Sequence, residues 1–425
     1  MLMPFRFVHT ADIHLDSPLR SLSLRNPDLA ALIGDATRQA LASIVDLCLD
    51  EQVDALIIAG DLYDGDQTSM KTARFLASQM ERLHQAGIAV YKIRGNHDAL
   101  SKITDQLMLP PSVKVFNGRG ETVDVRHGNL DVAVHGISFK QAHAPESLLS
   151  KYRRPAPDTV NIGIMHTSLA GAPGHDLYAP IPVADLHDWG FDYWALGHIH
   201  TRSQHAGDRT VIMPGMPQGR DINEAGEKTV TLVTIGDDKS ITVEERPTSI
   251  AQFERISVDL SSATDWRAAI EQIEQAVAAV RDTTRADHLV GRLMLSGQTP
   301  LSWALRRDRD LLMTEIEQRI EGMNKTWIEK IELATSAPSA TAPVTGTADP
   351  VAELGALMKT DIMHQDAVRE DIRNLVTELR DDLPAEARSF SGKDEQEFEA
   401  LIDRLLADGS EDILARLRLA GMGAD

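Results

Sequence analysis

Cysteine is almost absent from this chain of 425 residues: Cys48 is the only one. A single thiol excludes a disulfide scaffold and any cysteine-ligated zinc site. Long apolar runs are missing too. None approaches the roughly 18 residues that a membrane-spanning helix needs. Basic residues are in short supply, with Lys plus Arg at 43 against Asp plus Glu at 64, a formal net charge of −21. That deficit argues against a chain that coats nucleic acid or an anionic membrane by electrostatics alone, though not against a local phosphate site. The opening Met1 to Val8 lacks a long apolar h-region and reads as a first strand rather than a signal peptide. The expected compartment is therefore the cytoplasm, with no membrane contact.

What is present is ordinary globular composition, 42% hydrophobic and 25% charged. At roughly 100–200 residues per domain, the length suggests two or three domains. Over the first 245 or so residues short apolar runs alternate with helix-like stretches, the rhythm of an α/β domain. Asp54 to Ala59 is a continuous apolar run ending in Gly60-Asp61, as expected of a strand buried on both faces. Helices are expected over Arg38–Leu49 and Ala73–Gln85, further strands at Ile88–Ile93, Leu130–His135, Val160–Met165, Tyr193–Leu196 and Val211–Met213, and a hairpin at Lys228–Arg246. From about Phe253 the pattern becomes a β-α-β-α-β unit ending at Leu333, with Leu301–Ile320 as one helix. Ser336–Pro350, rich in Ser, Ala, Thr, Pro and Gly, reads as a flexible linker. The tail carries twice as many acidic as basic residues. Its apolar residues fall in helical stripes, Ile372, Leu375, Val376 and Leu379, then Phe398, Leu401, Ile402, Leu405 and Leu406. Such stripes need each other or a partner groove. The expected division is 1–248, 249–335, a linker at 336–350 and a helical tail at 351–425.

Five short segments each follow an expected strand: Asp12-Ile-His14, Gly60-Asp61, Gly95-Asn96-His97-Asp98, His166 and Gly197-His198-Ile-His200. Ligands in open α/β folds collect at the carboxyl ends of strands. Asp12 and His14, like His198 and His200, are two apart, so on an extended segment each pair points one way and can address one metal cluster. Carboxylate, carboxamide and imidazole without sulfur suit manganese, iron or zinc. Each segment alone loses to a plain alternative: Gly-Asp is usually a turn, and an isolated His-x-His is a weak metal signal. Five in fixed order at strand ends within 200 residues are a different matter.

This ordered set resembles the calcineurin-like metallophosphoesterases over residues 5 to about 235. Within that superfamily, His9-Thr-Ala-Asp-Ile-His-Leu-Asp-Ser-Pro-Leu, Ala59-Gly-Asp-Leu-Tyr-Asp, Ile93-Arg-Gly-Asn-His-Asp and Leu196-Gly-His-Ile-His are similar to the SbcD type of DNA repair nuclease. The Leu15-Asp-Ser-Pro extension and Pro214-Gly-Met-Pro-Gln-Gly-Arg-Asp-Ile-Asn-Glu-Ala-Gly-Glu-Lys lean toward its YhaO-like branch. The resemblance implies a four-layer α-β-β-α sandwich, a small α+β capping domain and a helical C-terminal tail that binds a partner. It implies two divalent metal ions, with manganese favoured: one held by Asp12, His14, Asp61 and His200, the other by Asp61, Asn96, His166 and His198, with Asp61 bridging. It gives His97 the role of proton donor to the leaving oxygen. Asp98 would either orient His97 or cap the segment after the turn. The implied partners are DNA, an SMC-like ABC ATPase and a second copy of the chain through the nuclease domain.

The expected activity is metal-dependent phosphodiester hydrolysis at DNA ends. A cyclic-nucleotide or other small phosphodiesterase shares the metal segments but has no evident need of the 170 or so residues that follow. A non-catalytic scaffold would be marked by loss of a ligand or proton donor, and none is lost. His175-Asp176 and His205 lie near the segments and carry a weaker expectation of substrate contact, and the small basic cluster Lys151-Tyr-Arg-Arg reads as a contact to DNA phosphates or a solvated loop.

Overall fold

The computed structural model describes residues 4–17, 27–63, 69–99, 108–139, 144, 146–169, 178–205, 207–337, 350–383, 388, 390–392 and 394–417. The chain forms two compact units, one of residues 1–255, 281–292 and 324–329, the other of 256–280, 293–323 and 330–425.

The first unit is built on two six-stranded sheets among the described residues. In one, β1 (Phe5–Thr10), β2 (Ala55–Ala59), β3 (Ala89–Ile93) and β4 (Val113–Val115) run parallel. The antiparallel hairpin of β11 (Thr229–Ile235) and β12 (Ile241–Pro247) extends this sheet beside β1. The other sheet runs in the order β5 (Glu121–His127), β6 (Leu130–Gly136), β7 (Val160–His166), β8 (Tyr193–Gly197), β10 (Thr210–Met213) and β9 (Ser203–His205). Its centre, β6 to β10, is parallel.

Alternation along the strands sorts the apolar side chains into three layers. Val8, Leu56, Ile58 and Val90 face α1 (Pro27–Asp50) and α2 (Met70–Gln85), where they meet Leu41, Ile44, Leu76 and Met80. Phe5, Phe7, Ile57 and Ile93 face the other sheet and pack on Val134, Ile162, Tyr193 and Ala195. Trp194, Leu196, Val211 and Met213 pack outward with Leu186 of α3 (Val183–Trp189) and Tyr152. The result is the four-layer α-β-β-α arrangement. Cys48 is buried in the first core, and burial pushes its thiol up to about 12. The edge strands β4, β5 and β9 are not among the expected ones, although Val123-Asp-Val-Arg of β5 alternates apolar and polar and its Val123 and Val125 pack on the core between the sheets.

A third sheet has the order β13 (Ala251–Asp259), β14 (His288–Gln298), β15 (Thr326–Ser336), and residues 256–259, 293–298 and 330–336 of it belong to the second unit. Residues 266–280 of α4 (Trp266–Thr283) belong to that unit, and the helix buries Ala269, Ile270, Ile273 and Val277. The single helix expected over Leu301–Ile320 is broken at Asp308 into α5 (Ser302–Arg307) and α6 (Arg309–Ile320), because Asp308 leaves helical geometry at φ −103°, ψ 38°. Trp266 Nε1 donates to Glu315 Oε2 at 2.8 Å and ties α6 to α4.

The tail forms α7 (Pro350–Thr360), α8 (Asp366–Asp382) and α9 (Glu395–Leu417). Ile372 and Val376 pack on Phe398, Leu401, Ile402 and Leu406, so α8 and α9 bury part of each other's stripe. Arg369 and Arg373 both reach Glu399, at 2.9 and 2.6 Å. α9 also meets α5, where Trp303 Nε1 donates to Glu411 at 3.3 Å. Leu375 and Leu379 of the expected stripe remain 61% and 52% exposed. Most of the expected linker, residues 338–349, lies outside the described residues.

Candidate metal centre

All five segments lie at the carboxyl ends of strands in the first unit: after β1, after β2, after β3, at the last residue of β7 and just after β8. Past β1 and β2 the backbone ladder continues, with Asp12 N–H donating to Gly60 O, His14 N–H to Asp61 O and Leu15 N–H to Leu62 O. The segment is not extended, in contrast to the two-residue spacing. Asp12, His14, Asp16, Asp61 and His198 all have positive φ, from 46° to 103°. The left-handed backbone costs energy in non-glycine residues and persists only where the surroundings impose it. Here the ladder and the side chains together turn the ligands inward.

Glycines make room for the cluster. A Cβ on Gly95 would collide with Asp61 Oδ1 and lie 2.7 Å from the His166 ring. One on Gly60, which has φ 98°, would lie 2.5 Å from His166 Nδ1.

Two groups of ligand atoms result, Asp12 with His14 and His200, and Asp61 with His166 and His198, each spanning no more than 4.8 Å. In the first, Nε2 of His14 and Nε2 of His200 face each other at 3.2 Å. In the second, His166 Nε2 lies 3.2 Å from Asp61 Oδ2 and 2.9 Å from Asn96 Oδ1. His198 Nδ1 lies 3.2 Å from that same Asn96 oxygen. The carboxylates are further fixed by backbone donors: His198 N–H to Asp12 Oδ2 at 2.9 Å and His97 N–H to Asp61 Oδ1 at 2.9 Å. Asp12, His14, Asp61 and His166 are buried to within 1% of complete, and only His200 is half-buried.

Burial drives the electrostatics. It pushes the Asp12 carboxyl up, against the pull of His166, His200 and His14. Burial also works to raise Asp61, but the positive charge on His166 and its hydrogen bond override it and hold Asp61 well below the usual carboxylate range. Reciprocally, burial would lower His166, and the Asp61 charge instead raises it to about 9. Buried carboxylates that take up compensating positive charge from their neighbours, among converging imidazole nitrogens and a carboxamide oxygen, form a donor set that fits divalent cations.

His97 is exposed and outside both groups, its ring edge-on to His14 at a centroid distance of 5.0 Å. The hydrogen bonds of the Asp98 carboxylate run to Gly95 N–H (2.6 Å), Leu62 N–H (3.2 Å) and Lys92 Nζ (3.1 Å). Asp98 therefore braces the turn that carries Asn96 and His97; its bonds are made to that turn and to its neighbours. The Lys92–Asp98 pair is 2% and 0% exposed.

Three contributors escape sequence reasoning. Lys92 reads as one more strand residue. Tyr178 stacks edge-on to His198 at 4.9 Å, and Glu224 Oε1 lies 3.0 Å from His200 Nδ1. In the sequence Glu224 stands out only inside a longer segment, because a residue 24 positions beyond His200 carries no spacing signal. His205 sits on β9, 3.2 Å from Ser203 Oγ. Arg154 of the basic cluster lies 4.0 Å over the Trp189 ring. His175 and Asp176 are outside the described residues.

A fold of two facing sheets with paired carboxylate–imidazole clusters at the strand ends is that of a metal-dependent phosphoester hydrolase. Residues 5–202 match the calcineurin-like phosphoesterase domain, and residues 253–336 match the middle domain of the metallophosphoesterase YhaO. The chain belongs to the calcineurin-like metallophosphoesterases. It is 34% identical to the uncharacterized metallophosphoesterase YhaO of Bacillus subtilis, over 73% of this chain and 76% of that one. It is 27% identical to the DNA double-strand break repair protein Mre11 of Sulfurisphaera tokodaii, over 50% of this chain and 54% of the relative. With the SbcD component of the nuclease SbcCD from Escherichia coli K12 it shares 25% identity, over 62% of this chain and 74% of the other. The chain thus spans about half the length of that archaeal Mre11. Among the described residues no helix is long and apolar enough to cross a membrane.

Proposed function

We propose that the chain is a two-metal DNA nuclease subunit that hydrolyses phosphodiester bonds at DNA ends. The observation that carries this reading is the pair of ligand clusters with an exposed histidine, His97, beside them. In this reading Asp61 bridges the two positions, as the family resemblance implies; its Oδ2 faces His166 and its Oδ1 takes the His97 N–H. Divalent cations at such a site make hydroxide available near neutral pH and neutralise phosphate oxygens. The chain's own residues do the rest. Asn96, His166 and His198 hold one position, and Asp12, His14 and His200 the other. His97, held through its backbone to Asp61 and by the turn that Asp98 braces, keeps a proton for the leaving oxygen.

The names of the Mre11 and SbcCD relatives favour DNA over a small phosphodiester as substrate. Manganese is the favoured metal, with iron or zinc compatible with the donor set. The acidic chain would hold DNA by the metal site and local contacts, leaving counterion-release affinity to a partner. That partner is an SMC-like ATPase in this reading. Apolar residues left exposed on the tail, among them Leu357, Leu375, Leu379, Leu405 and Ile413, are the surface it would use. The test is His97→Ala. Phosphodiester cleavage should fall about 100-fold or more while both metals stay bound. Loss of metal on that substitution would make His97 a ligand and overturn its role.

A further inference from the structure

Two stretches of the sequence far apart in the chain, the one containing Ser17 and the one from Pro214 to Lys228, are tied together next to His200, a ligand of the first cluster. Arg220 joins them. Its Nη1 lies 3.3 Å from Ser17 Oγ, and its Nη2 donates to Glu224 Oε1 at 2.7 Å. The Nε and backbone N–H of Arg220 both donate to Glu224 Oε2, at 3.2 and 2.8 Å. Glu224 ends a short turn, Ile222–Glu224, whose preceding residue Asp221 accepts from Asn223 N–H at 2.7 Å. The carboxylate is thus aimed, half-shielded and charge-balanced before it reaches His200 Nδ1 at 3.0 Å.

The second cluster is built differently. There the outward nitrogen of His166, Nδ1, meets a neutral backbone carbonyl, Ala59 O, at 2.9 Å. One imidazole leans on an anion and the other on a peptide group.

We propose that Glu224, with Arg220 as its counter-charge, is the positioning residue of the Asp12–His14–His200 cluster. With Nδ1–H of His200 donating to Glu224, the ring is fixed in orientation and tautomer, and Nε2 presents its lone pair toward His14 Nε2. An anionic acceptor also makes that imidazole the more basic ligand. Glu224 touches neither substrate nor reacting atoms; it acts through His200. The inference rests on the two-metal reading of the site.

The test is titration of manganese(II) into the chelator-stripped full chain, followed by calorimetry and by the electron paramagnetic resonance of the exchange-coupled pair. The wild type should take two ions. Glu224→Leu should weaken one of the two about 10–100-fold and abolish the coupled signal at the same free manganese, leaving the other ion in place. Glu224→Gln, which keeps an acceptor oxygen without the charge, should recover part of that loss. Should Glu224→Leu leave Arg220 stranded and the chain unfolded, the double substitution Arg220→Met with Glu224→Leu removes both charges and should show the same one-site loss. Wild-type affinity at both positions in these variants, or equal weakening of both, would overturn the assignment. A wild type that takes fewer than two ions would instead sink the two-metal reading beneath it.

Discussion

Replacing Lys92 by methionine should destabilise the first unit and loosen the turn that carries Asn96 and His97. The Lys92 side chain is 2% exposed, and its ammonium lies 3.1 Å from Oδ2 of the fully buried Asp98 side chain. Methionine keeps much of the length and apolar contact of the lysine stem but leaves a buried carboxylate without its cation. Breaking one side of a buried ion pair costs about 3–5 kcal/mol. Asp98 keeps its N–H donors from Gly95 and Leu62, so the loss falls at the lower end, about 3 kcal/mol. At about 2–4 °C per kcal/mol for a domain of this size class, the transition should drop by roughly 6–12 °C. Differential scanning calorimetry of the full chain can follow the transition of each unit. The companion Lys92→Met with Asp98→Asn removes both charges and should regain about half of the loss. A melting temperature for Lys92→Met within about 2 °C of wild type would refute the claim that this pair holds the turn.

Gly95→Ala should empty the metal positions without unfolding the sheets, because its Cβ would collide with Asp61 Oδ1 and crowd the His166 ring; elemental analysis showing a full metal complement would contradict this. His9 offers a pH test away from the ligands. Burial is the main cause that lowers its pKa, to about 3, despite the hydrogen bond to Leu196 O; its other nitrogen meets Tyr193 Oη. The unfolded chain therefore takes up this proton near pH 6.5 and the folded chain does not. His9 contributes most above pH 6.5, and that contribution fades as the pH falls toward 3, by up to about 1.4 kcal/mol per unit. Urea unfolding of His9→Gln between pH 6 and 4 should show a shallower slope by up to that amount, and an unchanged slope would place His9 in water.

Much of the first unit can be read from the chain because its central strands are buried on both faces. Ala55-Leu-Ile-Ile-Ala and Val160 to His166 are fully covered, so their continuous apolar runs mark strand and length at once. The five polar segments interrupt those runs at their carboxyl ends, which is why their positions are legible before any geometry. The manner in which they converge is not. The two-apart spacing suggests extended pairs, whereas left-handed backbone at Asp12, His14 and His198 turns the ligands inward. Lys92, Tyr178 and Glu224 act on the site from other elements, and a contact of that kind leaves no trace in local periodicity. Asp98 is legible as part of the turn, but the direction of its carboxylate depends on Lys92, six residues back across a strand end. The tail stripes show the same limit. Ile372 and Val376 find α9, while Leu375 and Leu379 stay exposed, a division that period alone does not make.

Cleavage of DNA by the paired clusters is tested most directly by assaying the metal-stripped full chain, before and after manganese is restored, on linear duplex DNA, single-stranded DNA, cyclic nucleotides and bis(p-nitrophenyl) phosphate side by side. Manganese-dependent cleavage that favours DNA with free ends and is lost in Asp61→Ala is the expected result. Preference for cyclic nucleotides, or DNA cleavage that survives Asp61→Ala, would contradict it.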